Sequence, residues 1–138
     1  MSHWNTYVKY SYQVILEAEH TTGIQLDHDT EAYVVHLFAN YLDYPNLNKD
    51  PVCIRYLESL TKPTKVKKEL LKNVGDECLL IYGLDLGRPR WPSNGYYQDL
   101  GQMAYLSLAH ASTPAEIFFE ELADKFDLIG QIIKKCKA

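Results

Sequence analysis

Apolar residues recur along most of this chain at the three-and-four spacing of an α-helix. In the first segment Val8, Tyr12, Ile15 and Leu16 fall at i, i+4, i+7 and i+8, and Gly23 supplies a stop. The same stretch also alternates at Tyr10, Tyr12, Val14 and Leu16, so a strand over residues 4–22 stays open. Helix is favoured because Leu16-Glu17-Ala18-Glu19 are strong helix formers. A second helix is predicted after a cap at Asp27 or Asp29, with Val34, Leu37, Phe38, Tyr41 and Leu42 as one stripe. It stops before Pro45. Asp50-Pro51 then predicts an N-cap with proline at the first helical position, and Cys53, Ile54, Leu57 and Leu60 as the inner face of a short third helix.

A fourth helix is predicted from Thr64 to Tyr82, with Val66, Leu70, Val74, Cys78 and Ile81 pointing inward. Gly75 inside it predicts a kink or a close helix approach, since glycine there costs about 1 kcal/mol relative to alanine. From Gly83 to Gly95 the pattern breaks into a segment with three glycines and two prolines. Unstructured connections of that length are usually functional or mobile. A fifth helix follows from Tyr96 to His110, with Tyr97, Leu100, Gly101, Ala104, Tyr105 and Leu108 inward. The sixth starts at the capping box Thr113-Pro114-Ala115-Glu116 and carries Phe118, Leu122, Phe126, Ile129 and Ile133. Residues 1–138 therefore read as one all-α domain, a bundle of about six helices with one long Gly/Pro-rich loop at 83–95.

Composition agrees with a folded domain: 46% of the 138 residues are hydrophobic. Tyrosine is in excess, with 11 against 4 Phe and 2 Trp. The net charge of −4 lacks a polyanion-binding footprint, so no nucleic acid is expected as a partner. No signal peptide or membrane-spanning run is apparent. Cys53, Cys78 and Cys136 form no CxxC pair, which argues against a disulfide framework or structural zinc and for a cytoplasmic setting. Charge is uneven along the chain. Residues 1–61 hold eight acidic and three basic residues, and Lys62, Lys65, Lys67, Lys68 and Lys72 follow with only Glu69 against them. Lys65, Lys68 and Lys72 are expected on one solvated stripe.

Catalytic signatures are weak. Glu17 and His20 have the Glu-x-x-His spacing of di-iron bundles, but such sites need it twice and the chain has it once. His36 and His110 are histidines in an all-α setting without a pocket argument for haem. No metal and no cofactor are expected, and no nucleophile motif is present. Arg88, Arg90 and Trp91 in the loop are residue types enriched at interaction hot spots. Tyr82, Tyr96, Tyr97 and Tyr105 are expected to gather where Gly75 and Gly101 let two helices cross, with Asp76 as the acceptor of their hydroxyls and the loop held in place by that cluster.

The runs Val74-Gly75-Asp76-Glu77-Cys78-Leu79-Leu80-Ile81-Tyr82-Gly83 and Tyr96-Tyr97-Gln98-Asp99-Leu100-Gly101-Gln102-Met103-Ala104-Tyr105, with Glu121-Leu122-Ala123-Asp124-Lys125-Phe126, resemble a bacterial family of helical proteins without an established activity. Glu31-Ala32-Tyr33-Val34-Val35-His36-Leu37 is similar to an early helix of that family, and the likeness covers about residues 26–133. It implies a bacterial, cytosolic, helical domain and transfers no site residues. The leading functional reading is a non-enzymatic interaction or regulatory module that binds a protein partner or a second copy through the 83–95 loop. The rival is a small-molecule or cofactor-binding bundle, an enzyme among its options, that holds an anionic ligand near Arg88, Arg90 and the tyrosines. The residues named for either are Asp76, Arg88, Arg90, Trp91, Tyr96 and Tyr97.

Overall fold

The computed structural model describes residues 3–47, 50–85, 93–110 and 117–136. These residues form seven helices and no strand: α1 (Trp4–Thr22), α2 (His28–Asp43), α3 (Val52–Ser59), α4 (Thr64–Leu84), α5 (Asn94–His110), α6 (Phe118–Asp124) and α7 (Phe126–Cys136). The all-α bundle stands, and the first segment is helix. The two glycine-flanked ends of the expected loop are helical as well. α4 runs through Gly83 to Leu84, and Asp85 closes it in the left-handed conformation at φ 47°. α5 already begins at Asn94. Gly83 is therefore no stop signal: Ile133 of α7 occupies the space that a side chain there would need.

Local signals explain some helix ends. Asp27 caps α2 by accepting from the Thr30 N–H at 2.8 Å, and that bond holds its carboxyl well below the usual range. Gly23 ends α1 at φ 74°, a conformation that suits glycine. At α3, Pro51 occupies the cap position, and Asp50 turns instead to Arg55. The expected single sixth helix divides at Lys125. α6 packs on α5, whereas α7 packs on α4 and α1, so the two pieces serve different neighbours. Helix propensity is continuous across that point, and tertiary packing decides the break.

α4 is central, against α3, α5 and α7, while α1 lies on α2 and α7. The predicted inner face of α5 is buried at every position. Leu122, Phe126, Ile129 and Ile133 of the last two helices are buried too. α1 is rotated from expectation. It buries Ser11, Ile15, Ala18 and Glu19, and leaves Tyr12 and Leu16 outside. No described helix is long and apolar enough to cross a membrane.

Two consequences are measurable. A methyl at Gly101 would meet the Phe126 ring at 2.5 Å and Cys78 Cβ at 2.8 Å. Gly101→Ala is therefore expected to destabilise by about 1–3 kcal/mol despite its better helix propensity. Gly95→Ala, with nothing nearer than 3.7 Å, gains up to about 1 kcal/mol. Urea titration of the two variants separates crowding from propensity.

The second concerns Glu19 and Glu31, which are buried where α1 meets α2. Leu26 N–H donates to Glu19 at 3.0 Å, yet burial, joined by Glu31, raises the Glu19 carboxyl from 4.5 to about 7. The folded chain keeps a proton there that the unfolded chain has lost. Stability consequently falls as pH rises from about 4.5 to 7, by up to about 3 kcal/mol. Glu19→Gln keeps donor and acceptor without a proton to lose. It is expected to flatten this dependence and to exceed the wild type at pH 8, read from denaturation midpoints at pH 5 and 8.

Candidate functional site

Asp76 and Glu77 are adjacent on α4 and both side chains are largely buried. Asp76 Oδ1 accepts the Tyr33 hydroxyl of α2 at 2.6 Å and the Tyr105 hydroxyl of α5 at 2.7 Å. Its second oxygen takes Lys72 Nζ at 3.0 Å, one helical turn earlier on α4. Lys72 also stands 5.4 Å from the centre of the Tyr33 ring. Burial first, and the Asp76 charge second, push both tyrosine hydroxyls upward, so they remain donors at any physiological pH. The rings are wedged by Phe118 and Phe119 of α6: Tyr33 meets Phe119 edge-on at 5.8 Å, and Tyr105 stacks on it at the same distance. Gly75 makes room for this. A side chain there would collide with the Tyr105 ring.

Glu77 faces the other way. It accepts Arg55 of α3 at 2.9 Å, while Asp50 takes the same guanidinium at 3.0 Å. Burial works against that charge, but the two carboxylates outweigh it and raise the Arg55 pKa. The pairing orients α3. Residues Cys53, Ile54, Leu57 and Leu60 were expected inside, and of these Cys53 does pack, partly buried, against the core. Val52 and Ser59 are buried, Arg55 turns toward α4, and Ile54, Leu57 and Leu60 are 51%, 57% and 54% exposed. A step of three residues moves about 60° around a helix, so these three form one continuous ridge. Val66, expected inside α4, is 40% exposed as well, among exposed Lys62 and Lys65.

Between α2, α3 and α4 lies an open cleft of about 410 Å³. Asp76, Glu77, Arg55 and Lys72 form part of its lining, with Asn40, Tyr41, Asp43, Tyr44 and Asn46 from α2 and the link beyond it. Among the described residues no group of three or more His, Cys, Asp or Glu could hold a metal ion. Cys78 and Cys136 are free thiols that burial pushes up to about 12, so neither is an activated nucleophile.

The expected tyrosine cluster is partly redrawn. Tyr105 reaches Asp76 as anticipated, but Tyr82 donates to Asp127 of α7 instead and packs on Phe126. Tyr96 and Tyr97 pack edge to face at 5.1 Å; burial first, and Cys53 of α3 second, raise the Tyr96 hydroxyl. Arg88, Arg90 and Trp91 lie outside the described residues. Tyr33, Arg55 and Glu77 are the additions. Lys72 with Asp76 is an i, i+4 pair that spacing could have shown, whereas Tyr33 and Arg55 reach α4 from 43 and 22 residues away.

Removing Asp76 would leave two tyrosine hydroxyls without their acceptor. Asp76→Ala is expected to destabilise by about 3 kcal/mol, and Tyr105→Phe alone by about 1 kcal/mol. In the Asp76→Ala background Tyr105→Phe becomes neutral or stabilising, because the acceptor is already gone. A double-mutant cycle by urea denaturation tests this. Comparison of the chain with protein-family models, curated proteins and solved structures gives no match in any of the three.

Proposed function

We propose that this protein is a non-enzymatic interaction module of the bacterial cytoplasm, and that it docks a partner helix on the outward face of α3. The observation that carries this reading is the inversion of α3: its apolar ridge faces solvent while its arginine is drawn inward. Contiguous exposed apolar side chains rimmed by polar ones mark interaction surfaces more than isolated exposed residues do. Lys62 and Lys65 beside the ridge favour a partner with acidic flanks, and a ridge of three side chains at helical spacing suits an amphipathic helix. Three cysteines with no disulfide support a reducing compartment. The 83–95 loop, of which residues 86–92 lie outside the described residues, is the alternative surface for the same reading. Enzymatic chemistry has less support, since the strongest polar cluster consists of satisfied hydrogen bonds.

The test uses the double variant Ile54→Glu/Leu57→Glu. Both positions are exposed, so stability should change by no more than about 0.5 kcal/mol per site. A partner isolated with the wild-type protein and then purified is expected to bind the variant at least about tenfold more weakly. Binding should also weaken with salt, through Lys62 and Lys65. A partner that binds the variant as well as the wild type, and loses affinity with Trp91→Ala instead, would sink the α3 reading.

A further inference from the structure

The cleft between α2 and α4 carries a chemistry separate from the α3 ridge. Its two cations are already engaged, Lys72 by Asp76 and Arg55 by Glu77 and Asp50. They leave no free positive charge among the described residues of this cleft. Arg88 and Arg90, where the sequence placed an anionic ligand, lie outside the described residues. Asp43 is different. It is the last residue of α2, lines the cleft, is exposed, and makes no ion pair among the described residues. A helix C-terminus carries the negative end of the helix dipole, and cations are favoured there. The last turn of α2 contains no basic residue and ends instead on a carboxylate. The protein thus sets like charge on like charge at the wall of a cavity of about 410 Å³, large enough for a small organic molecule. Tyr41 and Tyr44, aromatic rings of the kind that attract cations, line the same cleft, as do the amides of Asn40 and Asn46. Leu80 supplies an apolar wall.

We infer that this cleft is a binding site for a small organic ammonium compound, its charged nitrogen on Asp43 and its apolar stem toward Leu80, in a cleft that Tyr41 and Tyr44 also line. A carboxylate, a helix C-terminus and aromatic faces favour a cation, while the apolar wall favours a carbon stem over a hydrated metal ion. The α3 ridge plays no part in this assignment, so the two proposals stand or fall separately.

The test is a titration of isotope-labelled full-length protein, followed by amide chemical shifts, with n-butylammonium as the probe and butyrate and sodium chloride as controls. The expected result is a saturable shift at residues 40–47 and 73–77 with n-butylammonium, and none with the controls at equal ionic strength. Asp43→Asn should weaken the apparent affinity about tenfold or more. The same substitution should leave the free protein equally or slightly more stable, because it removes a charge from the unfavourable end of the dipole. Asp29→Asn, at the opposite end of α2, should bind as the wild type does. An absent or non-saturating shift, an equal response to butyrate, or unchanged binding by Asp43→Asn would each overturn the assignment.

Discussion

Two neighbouring carboxylates on α4 tether three other helices. Asp76 gathers the tyrosines of α2 and α5, and Glu77 holds the arginine of α3. Buried carboxylates are costly unless their lone pairs are filled, and here both tyrosines and two cations fill them. The geometry is consequently specific. A slip of α4 by one residue would move each carboxylate about 100° around its helix and leave the hydroxyls of Tyr33 and Tyr105 unpaired. Close approach is built into the same turns, since Gly75 admits the Tyr105 ring and Gly101 admits Phe126.

The arrangement also accounts for the inverted α3. Turning this helix so that Ile54 and Leu57 were buried would carry Arg55 away from Glu77, a carboxylate of which only 13% is accessible. Breaking a largely buried pair costs about 3–5 kcal/mol, comparable with what burying two aliphatic side chains would gain. The apolar surface and the buried ion pair are two faces of one short helix.

The helices themselves were largely legible, because period and capping are local. The inner face of α5 is the clearest case, with Tyr97, Leu100, Gly101, Ala104, Tyr105 and Leu108 all buried. The role of Asp76 and its bond to Tyr105 could also be reasoned from a helical carboxylate beside glycines at a crossing. Tyr33, Arg55 and Asp43 could not. Their part depends on which turn of a distant helix lies opposite, and hydrophobic spacing has no information on that. α3 misled for the same reason. Amphipathicity gives the direction of its apolar face relative to its polar one, but not which of the two turns inward.

By itself, then, the sequence determined an all-α chain, some of its helix ends, and two of the glycines that need close neighbours, Gly75 and Gly101. These follow from backbone propensity, capping and volume, which act over a few residues. Tertiary structure decided the rest. It rotated α1, divided the last helix at Lys125, turned the apolar ridge of α3 outward and left Asp43 at the end of α2 without an ion pair among the described residues. Each of these is a competition between burial, charge pairing and close packing across residues far apart in the chain, and it is settled only when the helices meet.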